Sequence, residues 1–176
     1  MDKKIIHHVQ SLASVKVHSL CKYEEPFKHL IWLIKFRNKK VLIPFIQKFV
    51  ERTFPAELID IDYIIPVPIH KHRHNDRGFN QAEEFIKTVS ERFNIPILTD
   101  CLIRQSSTKS LYAQDKNERA KTISGTIKCI HPETIKDKNI LIFDDILTSG
   151  ATLTECGRVL IANGTHSLFG LTICHA

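Results

Sequence analysis

One stretch of the sequence constrains the fold more than any other. Residues 140–152 read ILIFDDILTSGAT, an apolar run that leads directly into two carboxylates, Asp144 and Asp145, and then into a short turn. A buried strand that enters a turn and a helix is typical of open α/β sheets, in which ligands lie beyond the carboxyl ends of the strands. The stretch therefore predicts a strand at 139–143, a helix at 151–162 and a ligand site at their junction.

The residues at this junction suit a phosphorylated sugar. A carboxylate accepts two hydrogen bonds, so Asp144 and Asp145 fit a ribose 2′,3′-diol. Backbone N–H groups at a helix N-terminus, together with the helix dipole, favour an anion such as phosphate. The residues that we expect to hold the phosphate are Thr148, Ser149, Gly150, Ala151 and Thr152. The competing interpretation is an ordinary strand–turn–helix in which a hydroxyl caps the helix and the aspartates are solvated.

The rest of the chain alternates between strand and helix patterns. Further strands are predicted at 15–22, 60–66, 97–103, 126–130 and 167–174, and further helices at 26–37, 40–53 and 78–93. This alternation predicts an α/β fold with a mostly parallel sheet and helices on both faces. We expect one compact domain in which residues 1–55 form an N-terminal helical hood and residues 56–176 form the core.

A cationic segment follows the predicted strand at 60–66. It carries His70, Lys71, Arg73 and Arg77, and its position after a core strand predicts that it faces the same crevice as Asp144. Such side chains bind anions, the arginines through a planar fork of donors. Two alternatives stay open: a solvated loop, and a metal site built from the alternating histidines of the segment, for which the sequence offers no evident acidic or cysteine partner.

A polar segment at 104–115 is predicted to be a mobile loop. It contains Arg104 and Lys109, and Arg119 follows it. A loop of this kind closes over the ligand in many enzymes and excludes water from the reaction. The alternative is an ordinary surface loop with no role in binding.

Several of these segments resemble known families. Residues 143–152 resemble the signature that binds phosphoribosyl pyrophosphate (PRPP) in type I phosphoribosyltransferases. The run PVPIH at 66–70, Arg73, the run RGFNQ at 77–81, Tyr23 and the run IKFR at 34–37 resemble the ComF family of competence-associated proteins, and NER at 117–119 is a looser match. Together these segments cover nearly the whole chain.

The resemblance carries implications for fold and site. It implies a type I phosphoribosyltransferase-like fold in which Asp144 and Asp145 meet the ribose and act in catalysis, and residues 148–152 hold the 5′-phosphate. It further implies that the cationic segment binds pyrophosphate, that the 104–115 loop closes over PRPP, and that Mg²⁺ arrives with PRPP rather than on direct protein ligands. Many members carry a four-cysteine zinc module that this sequence lacks, so no structural zinc is expected.

The composition narrows the range of possible functions but does not identify one. The net charge of +6 favours anionic partners, either phosphorylated small molecules or nucleic acid. No apolar run approaches the roughly 20 residues of a membrane span, and no signal-peptide core is evident. The five cysteines are dispersed, as expected for reduced thiols in a cytoplasmic protein.

Two function classes therefore stay open. In the first, which the resemblance implies, the protein binds PRPP or another 5′-phosphoribosyl ligand in connection with DNA uptake and natural transformation, and its basic surface binds single-stranded DNA. In the second, it is an active phosphoribosyltransferase of nucleobase salvage that transfers a pentosyl group from Mg-PRPP. Neither the acceptor base, the oligomeric state nor a protein partner can be identified from the sequence.

Overall fold

The computed structural model describes residues 8–13, 15–70, 75, 77–105 and 123–176. Its strands are β1 His8–Leu12, β2 Val15–Lys22, β3 Tyr63–Pro66, β4 Leu102–Arg104, β5 Ile127–Cys129, β6 Asn139–Leu147 and β7 Ser167–His175. Its α-helices are α1 Phe27–Arg37, α2 Ile43–Thr53, α3 Gln81–Phe93, α4 Pro132–Ile135 and α5 Ala151–Ala162. Short 3-10 helices at Lys40–Leu42 and Ala56–Leu58 flank α2.

The main sheet has five strands in the order β1-β2-β7-β6-β3. Strands β2, β7, β6 and β3 are parallel to their neighbours, and β1 pairs antiparallel with β2. Strands β4 and β5 form a separate antiparallel pair. The prediction of an α/β fold with a mostly parallel sheet is confirmed.

Helices cover both faces of this sheet, as the sequence predicted. Along β6, Leu141 and Phe143 belong to the core formed with α1, α2 and α3, whereas Ile140 and Ile142 belong to the core that includes the inner side of α5. All four side chains are fully buried. Each such side chain contributes about 1.5–3 kcal/mol to folding, so the apolar half of β6 holds both layers together.

The bounds of three predicted elements are wrong in ways that affect the site. Strand β6 does not end at residue 143 but continues to Leu147, because β7 keeps pairing alongside it up to His175. The predicted strand at 97–103 is divided: Ile97 forms only an isolated bridge to Ile64, and β4 begins at Leu102. Arg104, expected in the polar loop, is the last residue of β4.

Helix α3 begins at a cap that joins it to the end of β3. The Asn80 side chain accepts a hydrogen bond from the Ala82 N–H and donates one to the Val67 carbonyl, both at 3.1 Å. An asparagine in this position satisfies an N–H that the helix itself leaves unpaired, which is typically worth about 1 kcal/mol. The cap therefore fixes the start of α3 at Gln81 and holds it against the chain that leaves β3. Among the described helices, none is long and apolar enough to cross a membrane.

Candidate functional site

Both signature aspartates lie within β6 rather than after it. Asp144 is in register with Thr172 of β7, and the strand continues past Asp145 before the turn that leads into α5. Strand residues alternate between faces, so two neighbouring aspartates would ordinarily diverge. Their surroundings show how they nevertheless interact.

The Asp145 carboxylate forms an ion pair with Lys35 of α1. The Lys35 Nζ lies 2.6 Å from the Asp145 Oδ2, and the two side chains are only 13% and 9% exposed. Helix α1 buries Ile31 and Ile34 in the core, and a residue four positions after Ile31 lies on that same side of a helix. Sequence reasoning missed Lys35 as a site residue, although its position beside the apolar stripe of α1 was the available signal.

The Asp144 carboxyl folds back on its own strand. Its Oδ1 accepts a hydrogen bond of 2.8 Å from the Asp145 backbone N–H. Burial, followed by the nearby Asp145 charge, raises the pKa of Asp144 from the ordinary 3.8 to about 7, while Lys35 acts in the opposite direction. A hydroxyl donor or a cation placed at this carboxyl would favour its charged form, as expected of a group that meets a ligand.

The turn after β6 leads into the N-terminus of α5 without a side-chain cap from the residue before the helix. That residue is Gly150, whose φ of +74° lies in the left-handed region that favours glycine. The Ser149 Oγ accepts a 3.4 Å hydrogen bond from the Ala151 N–H, and the Thr154 N–H donates to the Gly150 carbonyl. The first N–H groups of a helix have no intrahelical acceptor, so this end of α5 is suited to an anion.

Replacing Gly150 tests whether the turn needs a glycine for its own conformation. A Cβ at Gly150 would lie 2.6 Å and 2.9 Å from the two methyl carbons of Leu12 in β1, at a positive φ that side chains rarely adopt. We expect Gly150→Ala to lower the free energy of unfolding by about 1–3 kcal/mol, measured by urea denaturation. In the double variant with Leu12→Ala, the clash with the Leu12 methyl carbons disappears, but the backbone strain of an alanine at positive φ persists. The combined loss of unfolding free energy should therefore be smaller than the sum of the two single losses. A simple sum would mean that Leu12 does not constrain this turn.

The predicted pyrophosphate-binding residues are only partly within the described structure. Arg77 is half-buried, donates a 3.0 Å hydrogen bond to the Gln81 Oε1, and lies over the Phe36 ring at 5.6 Å. His70 is also half-buried and follows β3 closely. Lys71 and Arg73 lie outside the described residues, so their assignment stays a prediction.

Of the three loop cations, Arg104 is described and lies on the α5 side of the sheet. Burial is the main cause that raises the pKa of the Cys156 thiol in α5, the charge of Asp144 raises it further, and the charge of Arg104 lowers it. Asp144 and Arg104 are therefore both close to Cys156. Lys109 and Arg119 lie outside the described residues.

The donor set fits Mg²⁺ that is carried by a ligand. Magnesium binds carboxylate oxygens together with substrate phosphates rather than cages made entirely of protein ligands. At the end of β6, Asp145 is already paired with Lys35, and Asp144 is the carboxyl whose charged form is unfavourable until a cation or hydroxyl approaches. The arrangement can therefore support a diol or a ligand-bound Mg²⁺ through Asp144.

Comparisons with known proteins identify relatives over most of the chain. Competence protein ComFC of Bacillus subtilis is 28% identical over 152 residues, which are 83% of this chain and 58% of that protein. Competence protein F of Haemophilus influenzae is 27% identical over 83% of this chain and 66% of its own length. The resemblance to the ComF family is therefore confirmed. DNA utilization protein YhgH of Escherichia coli strain K12 is 23% identical over 86% of this chain and 68% of its own.

This ComF-like chain thus spans between 58% and 68% of the length of these relatives. No family model matches it. Among solved structures it is similar to the allosteric regulatory enzyme of purine biosynthesis, with a TM-score of 0.47 and 14% identity over 74% of this chain and 24% of that one. It is also similar to a hypoxanthine phosphoribosyl transferase of Trypanosoma cruzi, with a TM-score of 0.43 and 14% identity over 74% of this chain and 60% of that one.

The segments that carry the ComF resemblance meet one another in the structure. The IKFR run supplies Lys35, which pairs with Asp145 of the signature, and Phe36, over which Arg77 of the RGFNQ run lies. The RGFNQ run also supplies Asn80, which is hydrogen-bonded to Val67 of the PVPIH run. Four segments from three separate regions of the sequence therefore form one connected group of contacts around the end of β6.

Proposed function

We propose that this chain binds the 5′-phosphoribosyl group of PRPP. Asp144, whose charged form is favoured by Lys35 and by an approaching ligand, accepts hydrogen bonds from the ribose diol. The N-terminus of α5 and residues 148–152 bind the 5′-phosphate. The observation that carries the proposal is the interacting carboxyl pair at the end of β6, directly before a helix N-terminus that is suited to an anion.

The biological setting of the proposal comes from the relatives. Their names, competence protein and DNA utilization protein, support a role in competence or DNA utilization. We therefore propose that phosphoribosyl binding serves DNA uptake during natural transformation. His70, Arg77 and, outside the described residues, Lys71 and Arg73 are the proposed pyrophosphate contacts.

The diol assignment is tested with Asp144→Asn. The amide keeps the side-chain oxygen that accepts from the Asp145 N–H and leaves the Lys35–Asp145 ion pair intact, but it removes the charged acceptor. Because a hydrogen bond to a charged group is worth about 1.5–3 kcal/mol, we expect an affinity loss of roughly tenfold to a hundredfold for both Mg-PRPP and ribose 5-phosphate, measured by calorimetry.

Two further variants separate the two ends of the ligand. Thr152→Ala should weaken both ligands, whereas Arg77→Ala should weaken Mg-PRPP and spare ribose 5-phosphate, which has no pyrophosphate. Wild-type affinity of Asp144→Asn for both ligands would remove the diol assignment. Selective loss of ribose 5-phosphate in Arg77→Ala would mean that the 5′-phosphate binds at the other end of the site.

A second candidate is an active phosphoribosyltransferase. The same site would hold Mg-PRPP while a base nitrogen displaces pyrophosphate at C1 of the ribose. Arg104 and the side chains of the cationic segment would stabilise the departing pyrophosphate. The charges of Arg104 and Asp144 both act on the Cys156 thiol of α5, so a cation lies on the same side of the sheet as this carboxyl, which favours the second candidate. Release of pyrophosphate with any member of a panel of nucleobases would establish catalysis, and its absence together with tight Mg-PRPP binding would leave a binding module.

Single-stranded DNA binding is a separate prediction. Lys35 is paired with Asp145, but Arg37, Lys39 and Lys40 are exposed. The Arg37 guanidinium lies 5.5 Å from the centre of the Trp32 ring, and Trp32 and Phe36 are 40% and 50% exposed. Stacking on aromatic rings combined with cations is typical of sequence-independent single-strand binding. We expect weak binding of a labelled oligothymidine, with a log–log salt slope that becomes shallower by about 1.4 in Arg37→Ala/Lys40→Ala. An unchanged slope in that variant, or no binding at low salt, would contradict the prediction.

A further inference from the structure

Two cysteines face each other across neighbouring strands beside the candidate site. Cys21 in β2 and Cys174 in β7 are in register, and their sulfur atoms lie 3.3 Å apart. Neighbouring strands are separated by about 4.8 Å, which falls within the Cα separation that a disulfide spans. The backbone therefore already has the spacing of a disulfide, and closing the bond requires only small side-chain movements.

The two thiols differ in access. Cys21 is partly exposed, and its Sγ lies 3.2 Å from the Ile173 carbonyl, whereas Cys174 is fully buried. The hydrogen bond from Cys174 lowers the pKa of Cys21 and raises that of Cys174. An oxidant from solvent therefore reaches Cys21 first, and Cys174 lies behind it as the second thiol.

A second cysteine pair offers an internal comparison. Cys101 directly precedes β4, and Cys129 is the last residue of β5. Their sulfur atoms lie 3.8 Å apart. Cys101 is 1% exposed, and its burial raises its pKa to about 12. The remaining thiol, Cys156, is fully buried in α5. Cys129 is partly exposed, as Cys21 is, so access alone does not distinguish the two pairs. The Cys21–Cys174 pair differs in its shorter sulfur separation, its direct strand register and the lowered pKa of its exposed thiol.

We propose that Cys21 and Cys174 form a reversible disulfide in response to hydroperoxides. The Cys21 thiolate attacks the peroxide O–O bond, which breaks to give the Cys21 sulfenic acid and, after protonation, an alcohol or water. The Cys174 thiol then attacks the sulfenic sulfur, so that the S–S bond forms and water leaves. The dithiol is oxidised by two electrons, the peroxide is reduced by two, and an added dithiol reverses the step.

The cross-link would form next to the carboxyl pair of the candidate site. The charges of Asp145 and Lys35 both act on the Cys174 thiol, and Ile146, the next residue after Asp145, is in register with Cys174. The disulfide joins residues 153 positions apart, and closing so long a loop restricts the unfolded chain. The oxidised protein is therefore expected to unfold at a higher temperature than the reduced protein.

The test is peroxide titration of the reduced full chain, followed by alkylation and peptide mapping. The expected result is a mass loss of about 2 Da that dithiothreitol reverses, with a peptide cross-linked between Cys21 and Cys174. In Cys174→Ser, Cys21 should stop at the sulfenic acid and be trapped by dimedone, and Cys21→Ser should not form this species. Mapping the wild-type chain gives the answer even if one variant fails to fold.

The matched control is Cys156→Ser, which should oxidise at the wild-type rate because Cys156 belongs to neither pair. The proposal is overturned if the Cys101–Cys129 disulfide forms as fast as the Cys21–Cys174 disulfide. It is also overturned if Cys21 remains alkylatable at peroxide concentrations that oxidise the other thiols. None of these outcomes depends on whether the chain binds PRPP.

Discussion

Lys35→Met is expected to destabilise the protein by about 3 kcal/mol. The change keeps the apolar part of the side chain but leaves the Asp145 carboxylate, which is 9% exposed, without the cation at 2.6 Å. Breaking a buried ion pair by removing one partner is strongly destabilising because the remaining charge is uncompensated. Urea denaturation at neutral pH, monitored by the fluorescence of Trp32, measures the loss.

Two controls separate this ion pair from other effects of a lost lysine. Lys138→Met removes the cation of the Lys138–Asp62 pair, which is longer at 3.4 Å and much more exposed, so it should cost no more than about 1 kcal/mol. In Lys35→Met/Asp145→Asn both charges are gone, and most of the lost stability should return. Equal losses from Lys35→Met and Lys138→Met would mean that Asp145 is solvated and not held by α1.

The fold was predictable from the sequence where periodicity is strong and local. Strand β2 and helix α5 have the predicted bounds. Leu153, Cys156, Val159 and Leu160 of α5 recur at helical spacing, and Val15 and Val17 of β2 alternate with Lys16. The end of β6 was placed four residues early because Asp144 and Asp145 resemble a strand end, whereas the actual limit is set by the length of β7. Strand β1 was missed because HVQSL has no apolar alternation, and its pairing with β2 determines its structure.

The composition of the site was predictable, but its electrostatics were not. The sequence indicated both aspartates and the turn at Gly150, because residue types and order define them. The pairing of Asp145 with Lys35 depends on how α1 packs across the sheet, and the effect of the Arg104 charge on Cys156 depends on β4. Because Lys35 is held by Asp145, it is not among the cations available to DNA.

The unequal roles of the two aspartates have a consequence for stability. The charge of Asp145 is compensated by its ion pair with Lys35. The unfavourable electrostatic energy lies at Asp144, because burial and the charge of Asp145 raise its pKa from 3.8 to about 7. A carboxyl whose folded pKa is raised contributes stability that is fully present below pH 3.8 and is lost as the pH rises to about 7. The contribution of Asp144 to the free energy of unfolding should therefore fall across this window.

Asp144→Asn should abolish that loss. Below about pH 4 the protonated acid and the amide are equivalent, so wild type and variant should have similar stability. At about pH 8 the variant should be more stable by an amount on the order of 4 kcal/mol, since each pKa unit corresponds to about 1.4 kcal/mol. Urea denaturation at a series of pH values measures the difference, and the same variant is the one expected to lose Mg-PRPP affinity.

At Asp62 we expect the pH dependence of stability to have the opposite sign, so this residue is the matched control. The Asn139 N–H and, to a lesser degree, Lys138 lower the pKa of Asp62, so its contribution is present above the ordinary carboxyl pKa and is lost as the pH falls. Asp62→Asn should therefore be less stable than wild type at about pH 8, where Asp144→Asn is more stable. If Asp144→Asn is no more stable than wild type at any pH, Asp144 is not strained in the free protein. Gained stability with lost ligand affinity would instead mean that the protein retains an unfavourable, partly buried carboxyl because the ligand needs it.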